Sequence, residues 1–352
     1  MAAELTAGGR DEVAFVGTPD GPEARLAREA GLEFLPLAAR GFDRSSPLSL
    51  PVALGVLFVS TWRAVSMLRR LRPNAVVGFG GYVCLPLGLA AILTRIPLVL
   101  HEQNSVPGLA NRFLARWARA VAVTYRDTAA AFPRRTRVEV TGNPVRHAVL
   151  GATRESGRAV MGLADDAVVL LVFGGSRGAR HLNQATINLY QRLMEVDRLQ
   201  VVHVAGRIEA AAARERLDDV AGGPTPRYRI IDYAEDMGSA LAAADVVVAR
   251  AGATSLAEIT AIGRASLLVP YPFATGDHQT GNARELAEAG AAHVVADAAL
   301  DTDAFADALF DLLLDGSRRA AMASASRALA RPRAACAVAD LVRGARTEVE
   351  GG

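Results

Sequence analysis

The residues of this chain that could do chemistry are concentrated between 244 and 281, where small residues, hydroxyls and carboxylates follow a valine-rich run. Thr254 and Ser255 are predicted to cap a helix that ends at Gly263. The start of a helix presents N–H groups and positive dipole charge, which suit a diphosphate. Glu258 lies one turn into this helix, where its carboxylate could accept both hydroxyls of a ribose.

A predicted βαβ unit positions these residues. We expect its strands over 245–249 and 265–269, the second of them closed by Pro270. Asp277, His278 and Gln279 come after the second strand, where parallel sheets bind ligands. Taken alone, the unit has an equally simple structural explanation, in which its glycines serve packing.

Two other glycine pairs follow predicted strands. The strand over 168–173 leads into Gly174 and Gly175 and then a helix to about 196, which is the order that phosphate sites require. No Gly-Lys-Ser/Thr follows, so this is not a P-loop. Gly80 and Gly81 follow the strand over 75–78, where they would let the backbone approach a ligand or simply form a turn at positive φ.

Composition limits the choice of function. Half of the 352 residues are apolar, which allows two domains with separate cores, and a net charge of +2 gives no indication of a nucleic-acid partner. Cys84 and Cys336 form no metal or disulfide pattern. The only Asp-x-Asp triplet, 301–303, lies at a predicted helix start, where capping explains it, so no metal is predicted.

The apolar runs over 48–59 and 84–100 are not predicted to span a membrane. The first is too short, and Arg95 and Pro97 break the second. A long helix is expected over 51–71, with Leu57, Phe58, Trp62, Val65 and Met67 among arginines. An apolar surface rimmed by arginine suits an anionic bilayer surface, although a core-facing helix with a basic end has the same pattern.

Six motifs, in the order FGGY, HEQN, GNPVR, GGSRGA, GATSLAE and DHQ, resemble the MurG family of glycosyltransferases. The resemblance covers nearly the whole chain and implies an α/β GT-B fold, with two Rossmann-like domains facing a cleft. It divides the chain into an acceptor- and membrane-facing domain over 1–147, a UDP-sugar-binding domain over 148–332, and a helix over 333–352 that returns to the first domain.

The resemblance implies an inverting transfer of N-acetylglucosamine from UDP-N-acetylglucosamine to undecaprenyl-diphospho-muramoylpentapeptide (lipid I). The product is lipid II, a precursor of peptidoglycan. Both partners are substrates, and no cofactor is implied. The protein would be peripheral on the cytoplasmic side of the cell membrane, as a member of a cell-wall synthesis complex. A transferase acting on another glycolipid and a UDP-sugar-binding protein without turnover are the alternatives.

The resemblance also assigns roles to residues in the loops after the strands. Asn104 would contact the donor sugar, Arg146 the diphosphate or sugar, and Gln279 the sugar hydroxyls. The main chain of Ala234 would hold the uracil edge, and Glu258 the ribose. The remaining implied binding residues are Ser176, Ala253, Thr254, Ser255, Leu256 and Ala257 for the donor, Gly174, Gly175 and Gly178 for phosphate, and Gly80, Gly81 and Tyr82 on the acceptor side.

The start of the chain differs from the family pattern. Residues 2–7 are predicted to be the end of a helix and 12–16 a strand, whereas a Rossmann-like domain opens with a strand and a glycine-rich turn. We expect that unit to precede Met1 in the natural protein. The family's proposed catalytic histidine lies in it, so no base is assigned here. His101, Glu102 and His278 are the local titratable groups, and a capping network is an alternative explanation for His101 and Gln103.

Overall fold

The chain folds into two α/β units whose parallel sheets differ in order. This computed structural model describes residues 1–7, 9, 11–39, 49–175 and 179–350. One unit comprises Met1–Gly142 and Arg333–Gly352, and the other comprises Asn143–Pro332. The expected stop at Gly8, the expected loop over 41–47, and the predicted site residues Ser176 and Gly178 lie outside the described residues.

The first unit contains two separate parallel sheets, one of two strands and one of four in sequential order. The expectation was a Rossmann-like sheet that lacks its first strand, and here β1 and β2 pair only with each other. Strands β4 and β5 are fully buried, which is typical of parallel strands covered on both faces. The strands are β1 (Ala14–Gly17), β2 (Glu33–Pro36), β3 (Val76–Gly78), β4 (Leu98–Glu102), β5 (Ala120–Val123) and β6 (Val138–Val140).

Helices cover both faces of the four-stranded sheet. Buried residues of α3 and α4 form one core with β3, β4 and β5, and α16 forms a second core with the first helix and the other face of β4 and β5. Arg343 and Arg346 of α16 both pair with the buried carboxylate of Asp11. The helices are α1 (Ala2–Thr6), α2 (Pro22–Glu29), α3 (Ser49–Leu71), α4 (Gly81–Thr94), α5 (Leu109–Leu114) and α16 (Ala334–Glu350).

The second unit is built on six parallel strands in the order β12-β11-β10-β7-β8-β9. This is the doubly wound order of the Rossmann fold, in which the chain reverses direction across the sheet between β7 and β10. Strands β10 and β11 are buried along their whole length. The strands are β7 (Val168–Phe173), β8 (Leu199–Val204), β9 (Tyr228–Ile231), β10 (Val246–Ala249), β11 (Ala265–Leu268) and β12 (His293–Val294).

Ten helices of the second unit flank this sheet within its described residues. The helix predicted to run to about 196 is two helices, which meet at Leu189. The helices are α6 (His147–Leu150), α7 (Arg154–Met161), α8 (Arg180–Asn188), α9 (Tyr190–Glu195), α10 (Ala210–Ala221), α11 (Met237–Ala243), α12 (Ala253–Ile262), α13 (His278–Glu288), α14 (Asp303–Leu314) and α15 (Gly316–Ala328).

Candidate functional site

The loops that follow β7, β10 and β11 lie at the carboxyl edge of the second unit's sheet. Because β7 and β10 are neighbours in the sheet but not in the chain, the loops after them flank its topological switch point. Open α/β sheets bind ligands at such a point. Most of the predicted donor residues of this unit lie in these loops and in the first turns of the helices that follow.

The glycine loop after β7 comes close to its own helix. A Cβ added to Gly174 would lie 2.2 Å from the Cβ of Ala179, so only glycine fits there without a shift. Gly175 has φ +92°, a conformation that other residues rarely adopt. The described part of this loop thus requires glycine twice, for its close approach to Ala179 and for the positive φ at Gly175.

Helix α12 begins at Ala253, two residues before the start that a cap at Thr254 would give, and this changes the role of its hydroxyls. Its N-cap is Gly252, in extended conformation and with no side-chain cap, so the prediction that Thr254 and Ser255 cap the helix is wrong. Because the helix starts directly after Gly252, at Ala253, both hydroxyls lie in its first turn. Its first N–H groups therefore remain available to an anion. Leu256 is buried in the core and Ala257 is half-buried.

Glu258 and Arg146 form an ion pair within the second unit. Both Nε and Nη2 of Arg146 donate to Oε1 of Glu258, at 3.1 and 3.0 Å. The glutamate side chain is 6% exposed and the arginine side chain 58%. Among the described residues, no hydrogen bond involves the second carboxylate oxygen, Oε2. The arginine thus partners a buried carboxylate and leaves one of its oxygens available.

Gln279 joins the loops after β10 and β11. Its side-chain Oε1 accepts hydrogen bonds from the N–H of Ala251 at 3.1 Å and of Tyr271 at 2.9 Å. Two main-chain donors point at this atom, so it must be the carbonyl oxygen. The amide nitrogen, Nε2, has no hydrogen-bond partner among the described residues and can donate to a ligand.

Ala234 lies in the loop between β9 and α11. Its side chain is buried, and no hydrogen bond from a described residue reaches its main-chain N–H or C=O. The loop is anchored behind it by Asp236, which caps α11 through the N–H of Ser239 at 3.0 Å. Main-chain groups at Ala234 are thus held in place beside a fixed helix start.

In the first unit, the glycine pair after β3 forms a turn at positive φ. Gly80 and Gly81 have φ values of +80° and +76°, and α4 starts directly from them. Tyr82 is 68% exposed. The turn explanation therefore accounts for both glycines, and their predicted role on the acceptor side stays a prediction.

The polar residues that end β4 form a capping network centred on Glu102. Its buried carboxylate accepts from the N–H of Asn104 at 3.1 Å, the N–H of Gly108 at 3.0 Å and Nδ2 of Asn111 at 2.8 Å. His101 is fully buried with Nε2 3.1 Å from the carbonyl of Gly142, and its burial lowers the pKa of the imidazole. Glu102 thus holds the loop that carries Asn104, whereas His101 contacts the main chain at Gly142.

His278, the third titratable residue considered, begins α13. Its Nδ1 lies 2.8 Å from the carbonyl oxygen of Thr275, which accepts the ring proton. The contacts of His101, Glu102 and His278 do not identify any of them as the general base, so the base stays unassigned.

A charged cluster at the same edge of the sheet escaped prediction. Asp297 follows β12 and contacts both Arg250, which follows β10, and His181 in the first turn of α8. Asp301, expected to cap a helix, instead pairs with His181, and the N-cap residue Thr302 makes no side-chain cap. His181 and Asp297 are 116 residues apart, so no local pattern indicates their contact.

Together, the fold and the loops at the switch point define a GT-B protein of two Rossmann-like units. The family profile described as the glycosyltransferase family 28 N-terminal domain matches residues 1–123, and that of the family 28 C-terminal domain matches residues 169–338. A transferase from Desulforudis audaxviator is 42% identical over 335 residues, covering 94% of this chain and 89% of the relative. One from Halothermothrix orenii is 38% identical over 92% of this chain and 88% of the relative.

Both relatives are named UDP-N-acetylglucosamine–N-acetylmuramyl-(pentapeptide) pyrophosphoryl-undecaprenol N-acetylglucosamine transferase. The crystal structure of MurG from Acinetobacter baumannii matches with a TM-score of 0.76 and 31% identity, over 97% of this chain and 94% of that one. The UDP-N-acetylglucosamine 2-epimerase of Neisseria meningitidis, at 14% identity and a TM-score of 0.66, shares the fold alone. The chain belongs to the MurG family of glycosyltransferases.

Proposed function

We propose that this chain transfers N-acetylglucosamine from UDP-N-acetylglucosamine to lipid I and so forms lipid II. The observation that carries the proposal is the 42% identity, over 94% of the chain, to a relative with that transferase name. The second unit's switch point supports it, because a glycine loop, an uncapped helix start and a buried carboxylate occur together there.

The test is turnover by the chain itself. Purified protein with lipid I and UDP-N-acetylglucosamine should release UDP and produce a lipid whose mass has increased by one N-acetylhexosamine residue. Equal turnover with UDP-glucose or UDP-galactose would favour a transferase for another glycolipid. Binding of the donor without any product would favour a UDP-sugar-binding protein.

The nucleotide would lie across the carboxyl edge of the second unit's sheet. Main-chain groups at Ala234 would meet the uracil, Oε2 of Glu258 the ribose hydroxyls, and the first turn of α12 the diphosphate. The position of Gly174 and Gly175 directly after β7 supports their predicted phosphate contacts, and those of Ser176 and Gly178 are proposed from the resemblance alone. Asn104, Gly80, Gly81 and Tyr82 are proposed contacts from the resemblance alone.

The reaction inverts the anomeric carbon. The acceptor hydroxyl loses its proton to a base as its oxygen bonds to C1 of the sugar, and the bond from C1 to the diphosphate oxygen breaks. UDP leaves with the bonding electrons, so negative charge grows on its phosphates. Helix N–H groups and the guanidinium of Arg146 would stabilise that charge without reorganising.

Replacing Gln279 by glutamate should separate sugar recognition from nucleotide binding. The new carboxylate still accepts from the N–H groups of Ala251 and Tyr271, so both loops stay in place. The Nε2 donor is lost. We expect kcat/KM for UDP-N-acetylglucosamine to fall about 30-fold, because the sugar hydroxyl that Nε2 would hydrogen-bond loses its donor. Affinity for UDP, which has no sugar, should change less than threefold, as measured by calorimetry. Equal losses for UDP and UDP-N-acetylglucosamine would contradict the sugar role.

The proposed membrane surface lies on α3 and α4. One helix among the described residues, Pro51–Leu71, is long and apolar enough to cross a membrane by length and composition, with 28% of its apolar window buried. Ser60, Ala64, Val65 and Leu68 nevertheless pack into the first unit. The expectation that Val65 belongs to the exposed apolar face is therefore wrong, because that position faces the core.

The opposite face of α3 is apolar and exposed. Phe58 and Trp62 are 65% and 52% exposed, and their rings meet edge to face at 6.2 Å. With Leu54, Leu57 and two leucines of α4 they line a shallow groove of about 320 Å³. Arg63, Arg69 and Arg70 are exposed on the same helix. We propose that this surface, the α3 face, docks on the anionic cytoplasmic leaflet, where a cell-wall synthesis complex would find its substrate.

Trp62→Glu should reduce binding to vesicles that contain anionic lipid by roughly tenfold, because the apolar ring is replaced by a charge that anionic lipid repels. Leu26→Glu is the matched control, since Leu26 is also 52% exposed but lies on α2. Co-sedimentation measures the bound fraction, and raising the salt concentration should weaken wild-type binding. Undiminished vesicle binding by Trp62→Glu would rule out the α3 face as the membrane-docking surface.

A further inference from the structure

Four charged or titratable side chains, here called the edge cluster, connect the loops at the carboxyl edge of the second unit. They are His181, Arg250, Asp297 and Asp301. None of them belongs to the proposed donor-binding set. They come from the first turn of α8, the end of β10 and the segment after β12.

Asp297 is the centre of the edge cluster. Its Oδ2 lies 2.8 Å from Nδ1 of His181, and its Oδ1 lies 2.6 Å from Nη1 of Arg250. The aspartate side chain is 17% exposed and that of Arg250 8%. One carboxylate thus connects the start of α8 to the end of β10.

Arg250 extends this connection to the loop after β11. Its Nη1 donates to the carbonyls of Val269 and Pro270, both at 3.3 Å, and its guanidinium lies 5.6 Å from the ring centroid of Tyr271. The residues next to these contacts, Ala251 and Tyr271, supply the two N–H groups that orient Gln279. A shift of Arg250 would therefore move the amide proposed to bind the sugar.

The edge cluster also requires a charged histidine. Both ring nitrogens of His181 face carboxylate oxygens, Nδ1 that of Asp297 and Nε2 that of Asp301 at 3.0 Å. Ionised carboxylates only accept hydrogen bonds, so both nitrogens must carry protons. Hydrogen bonds to Asp297 and then Asp301 raise the pKa of His181. Among the described residues, Arg250 lies beyond Asp297, and Arg180, next to His181 in the chain, pairs with Glu209.

We propose that Asp297 is a positioning residue for the nucleotide-sugar site, which holds the start of α8 and the loops after β10 and β11 in register through His181 and Arg250. The inference rests on the proposed function. Its physical basis is that one ligand is bound by several groups at once. The starts of α8 and α12 and the amide of Gln279 must therefore keep fixed distances from one another. A misplacement of about 1 Å in such a group can cost about a hundredfold in rate.

The chain contains a closely matched control. Asp245 is 18% exposed and pairs at 3.0 Å with Arg158, which is 2% exposed, so the chemistry and burial resemble those of Asp297 and Arg250. Asp245 precedes β10 and lies at the amino edge of the same sheet, opposite the donor loops. Asp245→Asn therefore reports the loss of a half-buried ion pair without displacement of the donor loops.

The experiment compares Asp297→Asn, His181→Gln and Asp245→Asn in the full chain. Calorimetry gives the Kd for UDP-N-acetylglucosamine, steady-state kinetics separates the KM of each substrate from kcat, and thermal unfolding gives Tm. We expect Asp297→Asn to lower kcat/KM for the donor about tenfold to a hundredfold, mainly through KM, with the KM for lipid I within about twofold. Asp245→Asn should lower Tm but keep the donor Kd within about twofold of wild type.

The pH profile provides a readout that a merely structural role would not change. A raised pKa means that the imidazolium form is favoured in the folded protein and that its support is lost as pH rises through that pKa, above about 6.5. In the wild type, kcat/KM for the donor should fall over that range. His181→Gln, whose side chain is partly exposed and should not impair folding, should lack this step.

An unchanged donor Kd in both Asp297→Asn and His181→Gln, or an equal loss in Asp245→Asn, would overturn the positioning role while leaving the proposed function intact. A wild-type chain that fails to bind UDP-N-acetylglucosamine would overturn the proposed function, and this inference with it.

Discussion

Replacing Glu258 by glutamine should weaken UDP binding about a hundredfold, equivalent to about 3 kcal/mol. Hydrogen bonds from ribose hydroxyls to a buried carboxylate are charge-assisted, and glutamine offers neither the charge nor a second acceptor oxygen. The folded protein should tolerate the change, because Arg146 is 58% exposed and regains water when its partner is neutral. Calorimetry with UDP measures the loss directly, and Glu258→Ala should weaken binding at least as much.

The ligand itself supplies the control for the ribose assignment. Wild-type protein should bind 2′,3′-dideoxy-UDP about a hundredfold more weakly than UDP, because that analogue lacks both hydroxyls. Glu258→Gln should bind the two nucleotides with nearly equal affinity. Wild-type affinity for UDP in the glutamine and alanine variants would refute the assignment.

The role of Arg146 can be separated in the same assay. The resemblance implies that it contacts the diphosphate or the sugar, whereas the structure has it donating twice to Glu258. If Arg146 mainly orients Glu258, then Arg146→Gln should weaken the binding of uridine and of UDP by the same factor. If it contacts the diphosphate, only UDP should lose affinity, because uridine has no phosphate.

Replacing Arg158 by leucine should have the largest effect on stability, about 3 kcal/mol or more. Arg158 is 2% exposed and donates to three main-chain carbonyls, those of Ala164 at 2.7 Å, Asp165 at 2.5 Å and Ala167 at 2.8 Å, besides Asp245. Leucine fills part of the space but leaves those acceptors without donors. The segment that leads into β7 would lose its attachment to α7.

Thermal unfolding of the full chain checks this prediction. UDP binds the second unit in the proposed function, so the transition that UDP raises identifies that unit. Arg158→Leu should lower it by roughly 6–12 °C, given about 2–4 °C per kcal/mol for a unit of this size. The control is Arg198→Leu, whose exposed pair with Asp166 should contribute at most about 1 kcal/mol. Similar shifts in both variants would show that burial of Arg158 contributes no special stability.

Much of the fold could be predicted from local sequence because strands and helices leave short-range patterns. The apolar runs predicted β7 at its observed bounds, and β3, β10 and β11 to within one residue at one end. The predicted cap of α12 was wrong because Thr254, Ser255 and Gly252 are all suitable N-cap residues, and the local sequence does not choose among them. In the structure Gly252 is the N-cap, and the helix that starts there buries Leu256 in the core.

The candidate site was only partly predictable, for a related reason. Gln279 was predicted as a sugar contact, but the observation that its carbonyl bridges Ala251 and Tyr271, leaving Nε2 to donate, requires coordinates. The polar end of β4 also gave no indication that Glu102, rather than Gln103, is the centre of the network that holds Asn104. Side chains of similar type compete for such roles, and only their directions distinguish them.

The sequence by itself determined the family, the βα order and the glycines that shape the loops, because each depends on residues close together in the chain. Only the tertiary structure decided which charges meet. Arg146 reaches Glu258 across 112 residues, and His181 reaches Asp297 across 116. The first contact depends on the packing of α6, whose N-cap is Arg146, against α12. The second depends on the sheet order, which brings the start of α8 after β7 and the segment after β12 to the same edge. Ion pairs of this kind carry no periodicity or local spacing, so they appear only once the strands are assembled.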